Sequence, residues 1–191
     1  MKNLKYFLLA VISIVALSCN NNNNPDNPDN KKVAEEHNDA KFDNKAEKDA
    51  QFAVDAADIS LTEMSLGQWA ENNAMTDDTK QLGKMMYQDH KKAYDEIASL
   101  AAKKSITIPG EMSEGSKKDY NSLIEKKGAD FDKEYCDKMV SGHKDAIDKF
   151  EKASKDAVDP DIQAWATNML PTLRSHLDHA MACQEKSKKL K

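Results

Sequence analysis

Glu63, His90, His143 and His176 are ionisable side chains that fall on otherwise apolar helical stripes. Three imidazoles and a carboxylate suit a single zinc, iron or copper ion, which takes nitrogen and oxygen donors in a small first shell. The same four groups can also form a metal-free polar cluster, with Glu63 ionised and one histidine protonated, that fixes helix register. A di-iron centre is not expected, because it needs Glu-x-x-His on two helices. The residues three before His90, His143 and His176 are Tyr87, Val140 and Leu173.

The elements that position these groups follow from period and punctuation. Helical periodicity predicts four long helices over 45–74, 77–104, 129–157 and 160–187. Thr76 or Asp77 can cap the second, and Asp159-Pro160 places a capping acid before a proline at the first helical position. The connections within each successive pair are a few residues long, so each pair folds back as an antiparallel hairpin. Glu63 and His90 then lie about equally far from the first turn, and His143 and His176 about equally far from the second. All four groups reach one level near mid-helix.

Residues 105–128, "SITIPGEMSEGSKKDYNSLIEKKG", are a longer connection with room for a short extra helix. A crossover of this length can run the height of a bundle, as in ferritin-like folds. The expected fold is all-α, an antiparallel ferritin-like four-helix bundle over 45–191. Charged residues make up 32% of the chain and aromatics only 6%, which favours helix over sheet.

Several neighbours can support the site. Asp89 is placed to orient His90 or another ligand, and Tyr94 and Tyr135 can turn hydroxyls inward. His179 lies 300° round from His176 and belongs to the flank. Pro171, one turn before His176, removes the helical bond to the Thr167 carbonyl, so a kink there either aims the imidazole or bends the helix around the core. Cys136 is seven residues before His143 and Cys183 seven after His176, so the cysteines are level when the histidines are. Two turns, about 10 Å, is too far to ligate the same ion. They pair as a disulfide in an oxidising compartment, or remain as two buried thiols. Two facing histidines can also ligate haem, but there is no C-x-x-C-H attachment motif and haem is not the expected cofactor. No nucleophile–base arrangement or glycine-rich loop identifies a reaction.

The N-terminus reads as an address. "MKNLKYFLLAVISIVALSC" has two lysines, an apolar run too short to span a bilayer, and a small residue before Cys19. This is the pattern of a lipoprotein signal over 1–18 with Cys19 as the lipidated residue, although Ala16 stands where leucine is usual. An ordinary signal peptide is the alternative. Residues 19–44 read as a disordered tether, since "NNNNNPDNPDN" contains no apolar residue. The expected location is the bacterial envelope, with the membrane as partner through Cys19. Cleavage after residue 18 removes two lysines and no acid, taking the net charge from −5 to −7. With no Lys/Arg cluster among aromatics, nucleic acid is not an expected partner.

The runs "MMYQDHKKAYDEIASLAAKKSITIP", "YCDKMVSGHKDAIDKFEKAS" and "WATNMLPTLRSHLDHA" resemble a family of bacterial envelope proteins known as predicted outer membrane proteins. It is a domain-of-unknown-function family, and the resemblance covers about residues 46–185. It implies a ferritin-like four-helix bundle in which Glu63, His90, His143 and His176 match recurrent polar positions. It implies no reaction.

Overall fold

The structure is a computed structural model that describes residues 28–190. The expected signal at 1–18 and lipidated Cys19 lie outside the described residues, as does most of the asparagine run. Six helices follow in order: α1 (Asn30–Asp39), α2 (Asn44–Asn73), α3 (Asp77–Lys104), α4 (Glu114–Ile124), α5 (Gly128–Asp156) and α6 (Pro160–Ser187). No strand occurs among the described residues, and none of these helices is long and apolar enough to cross a membrane.

Two of the four long helices, α3 and α6, start at side-chain caps. The Thr76 hydroxyl accepts from the Thr79 N–H to cap α3, and Asp159 accepts from the Asp161 and Ile162 N–H groups to cap α6. Pro160 follows at the first position of α6, where its missing N–H costs nothing. Gly128 opens α5 with φ +57°, a left-handed conformation that glycine adopts without a Cβ penalty.

Within the α2/α3 hairpin the backbones meet at a glycine pair. A Cβ on Gly67 would lie 2.6 Å from the Gly83 carbonyl oxygen, and one on Gly83 would lie 2.7 Å from that of Gly67. Only glycine permits that approach.

Buried carboxylates tie the hairpins together end to end. Asp132, near the start of α5, accepts from the Met75 and Thr76 N–H groups and the Thr76 hydroxyl. Asp49, near the start of α2, accepts from the Val158 and Asp159 N–H groups. The α2/α3 turn therefore sits beside the start of α5, and the α5/α6 turn beside the start of α2. The segment between α3 and α5 has to travel from one end of the hairpins to the other. On that route α4 packs against α2 and α5, held by Asp58, which accepts from the Ser113 N–H and from the Ser113 and Ser116 hydroxyls.

The expectation of a tether reaching residue 44 does not match residues 30–39, which form α1. Its sequence has almost no apolar stripe, so polar contacts dock it. Asn38 exchanges two hydrogen bonds with the backbone of Thr107, and Lys31 pairs with Asp55 at 2.6 Å. Ala34 is its buried apolar contribution.

The apolar core divides in two. One cluster, containing Ala53, Ile97, Phe150 and Leu173, fills the end near the α5/α6 turn. The other, containing Leu66, Met86, Phe131, Met139 and Ala180, fills the end near the α2/α3 turn. Glu63, His90, His143 and His176 occupy the layer between them in all four chain segments.

Candidate metal centre

His90 comes from α3, His143 from α5 and His176 from α6, each on the inward stripe of its helix. They are 3%, 1% and 2% exposed, and one ring nitrogen from each lies within 4.8 Å of the others. The ring centroids are 5.2 to 5.6 Å apart and the ring planes are inclined to one another by 46° to 76°, so no ring stacks flat on another.

Hydrogen bonding sets which nitrogens carry protons. His143 Nδ1 lies 2.9 Å from the Met139 carbonyl, which can only accept, so Nδ1 is protonated and Nε2 keeps a lone pair. His176 Nε2 lies 2.9 Å from Asp89 Oδ2, so that nitrogen is the donor. The two remaining nitrogens, His143 Nε2 and His176 Nδ1, face each other at 3.3 Å.

A hydrogen bond between them needs a second proton on one of the two rings, and His176, beside Asp89, is the better placed to take it. Burial opposes it, pushing the His176 pKa below its ordinary 6.5 against the pull of Asp89. His143 is driven further, to about 4, by burial and then by the charge of His176. With both rings neutral, two lone pairs converge. Their separation is the edge expected between two ligands of a tetrahedral ion, about 3.3–3.4 Å for metal–nitrogen bonds of about 2.0–2.1 Å.

His90 completes the case for a cation. Neither of its ring nitrogens has a hydrogen-bond partner, although the residue is buried. Burial, then the nearby His143 and His176, hold its pKa well below 6.5. A neutral imidazole with an unpartnered buried lone pair is costly in a protein interior and suited to a metal.

Glu63 was expected as the fourth ligand, but the structure gathers only the three histidines into the converging set. Its carboxylate lies against α5 where Gly142 has no side chain: a Cβ there would be 3.4 Å from Glu63 Oε1. Oε2 has no partner, and burial raises the pKa to about 8, with Lys138 pulling weakly the other way. Tyr135 belongs to this oxygen-bearing flank. Its hydroxyl is buried and unpartnered, and its pKa is raised well above 10 by burial and then by Glu63.

Tyr94 does not support the site. Its hydroxyl donates to the Pro109 carbonyl at 3.1 Å, because the loop after α3 folds back over that face. Asp89 orients His176 rather than His90. Met139, whose carbonyl sets the His143 tautomer, was missed in the sequence, as was Gly142. The Met139 carbonyl is the ordinary i−4 neighbour of any helical residue and leaves no signature. Pro171 is exposed and α6 runs unbroken through it, with the freed Thr167 carbonyl on the solvent side. Cys136 and Cys183 are joined as a disulfide with Cα atoms 5.9 Å apart, and Thr79 Oγ1 lies 3.5 Å from Cys183 Sγ.

Comparison with known proteins adds a family without an activity. A family model described as a domain of unknown function (DUF4142) matches residues 32–183, from within α1 to the last turns of α6. No curated protein and no solved structure matches the chain.

Proposed function

We propose that this chain, which belongs to the DUF4142 family, binds one transition metal ion through His90, His143 and His176. The observation that carries the reading is the facing pair His143 Nε2 and His176 Nδ1 at 3.3 Å, each ring's outer nitrogen already committed as a donor. His90 supplies a third nitrogen that nothing else in the fold uses. Zinc, iron and copper all accept such a set. A bound zinc would supply Lewis acidity, and iron or copper one-electron chemistry. The chain itself holds the imidazoles neutral, fixes two of the tautomers and excludes bulk water. Glu63 and Tyr135 stand outside the converging nitrogens as an oxygen-bearing flank.

The proposal extends to setting. The topology, with its lengthwise connection between α3 and α5, is read as ferritin-like. The sequence of residues 1–19 supports a lipid-anchored protein of the bacterial envelope, attached through Cys19 and acting in metal handling, redox balance or stress response.

A metal-free polar cluster is the second reading. It is favoured by the continuous chain from Met139 through His143 and His176 to Asp89, which closes if His176 takes a proton. That chain leaves His90 without a role. Elemental analysis of protein purified without a metal-affinity tag separates the readings. We expect near one zinc, iron or copper per chain, lost in a His90→Ala/His143→Ala double variant. No metal in the wild type after incubation with each of the three ions would leave the polar cluster as the reading.

A further inference from the structure

The histidines are sealed, yet a metal has to reach them, and the polar contacts of the trio indicate where. Apart from contacts within the trio, their hydrogen bonds among the described residues go to the Met139 carbonyl, inside α5, and to Asp89. Asp89 has a side chain 46% exposed, against 3% for the His176 ring it holds. It is the point where the trio meets solvent.

The seam between α3 and α6 continues outward from Asp89. Asp78–Lys186, Thr79–Cys183 and Asp89–His176 are cross-seam pairs at 2.6, 3.5 and 2.9 Å, which sets the two helices antiparallel in one register. That register brings Met85 level with His179, one turn from the Asp89–His176 pair. Both line a surface depression of about 240 Å³ with Asp78 and Lys186 at its far end. Lys186 is paired with Asp78, so it does not set a free positive charge against an approaching cation. A thioether and an exposed imidazole are donors for borderline-soft ions such as copper and zinc.

We propose that this seam is the entry route for the metal, with Met85 and His179 as a first, transient contact and Asp89 as the gate. The inference rests on the metal-binding reading above. A cation arriving at Asp89 replaces the His176 Nε2–H as the carboxylate's partner. The released ring is then free to turn about its Cβ–Cγ bond and admit the ion between the inner nitrogens. Asp89 is a positioning residue in this scheme: it acts on the site through His176.

The test is stopped-flow mixing of cobalt(II) with the full-length chain, following ligand-field absorbance, for wild type, Asp89→Asn and His179→Gln. A gate controls the association rate, whereas a residue that merely steadies a ligand controls dissociation. We expect Asp89→Asn to slow cobalt association about tenfold, the lower range for loss of electrostatic guidance into a cleft. His179→Gln should slow it by a smaller factor, with final stoichiometry intact in that variant. Association at the wild-type rate in both variants, with cobalt bound normally at equilibrium, would overturn the route alone. So would a pure increase in dissociation rate in Asp89→Asn. Failure of the wild type to bind cobalt at all would overturn the metal reading and the route together.

Discussion

Two sets of buried ionisable groups in this bundle are treated in opposite ways. At the ends and on the α4 flank, Asp49, Asp58 and Asp132 are buried, and both carboxylate oxygens of each accept hydrogen bonds from loop N–H or hydroxyl groups. In the middle layer, Glu63 Oε2, both nitrogens of His90 and the Tyr135 hydroxyl have none. A buried polar group that is fully bonded stabilises a fold, while one left unpaired costs about 1–3 kcal/mol. The aspartates are therefore architectural: each fastens a connection to a helix. The middle layer carries a penalty that its own contacts do not offset, and a ligand can.

The largest effect should come from breaking the satisfied set. Asp132→Ala leaves the Met75 and Thr76 N–H groups and the Thr76 hydroxyl without their acceptor at the α2/α3 turn. We expect a loss of roughly 3–5 kcal/mol, the range for removing one partner of a buried charged network. Urea denaturation monitored by circular dichroism measures it. A loss below about 1 kcal/mol would mean that water takes the place of the carboxylate and that the contrast between the two sets is weaker than drawn.

An effect of the same order, but dependent on pH, is expected at Glu63. Its pKa is about 8 in the folded chain, above the ordinary 4.5 of the unfolded one. The folded state thus holds a proton that the unfolded state gives up, and this contribution to stability is lost as pH rises from about 4.5 to 8. Glu63→Gln mimics the protonated acid at every pH. The variant should match the metal-free wild type near pH 4.5, then exceed it increasingly up to pH 8, where the difference levels off. A difference that stays flat across that window in denaturant titrations would show that the carboxylate is solvated in the folded protein.

How far this arrangement was legible in the sequence depends on whether a residue's partner lies along its own helix or across the molecule. The level of the histidines was legible because Thr76 and Asp159-Pro160 mark short turns, and a short turn fixes the register of both arms. The Asp89 role was half legible: its place at the stripe edge indicated a positioning residue, but not that the imidazole it reaches is on α6. Tyr94 points inward on a helical wheel. It binds Pro109 because a loop distant in pattern covers that face. The three aspartates look like ordinary polar residues on a wheel, since their partners are loop N–H groups that no periodicity announces. Helix α1 was hidden for a related reason: it is docked by an asparagine amide and an ion pair instead of an apolar stripe. Gly67 and Gly83 went unread, although glycine inside a helix costs about 1 kcal/mol relative to alanine and so marks a constraint. Their close backbone contact is what offsets that cost.

The smallest expected change tests the comparison most directly, because it turns on sign. His90→Leu replaces a buried ring that has no hydrogen-bond partner with an apolar side chain suited to the adjoining clusters. If the middle layer is strained in the absence of metal, the metal-free variant should be more stable than the metal-free wild type, by about 1 kcal/mol. Replacing a satisfied polar group by an apolar one does the reverse, as Asp132→Ala should show on the same instrument. Zinc then separates the two proteins in the other direction. At a hundredfold excess over its dissociation constant, a ligand stabilises the folded state by about 2.7 kcal/mol, so the wild type should overtake the variant while the variant stays where it was. A metal-free variant less stable than the wild type would mean that His90 is already satisfied, by water inside the layer. The middle of the bundle would then be built like its ends, as structure.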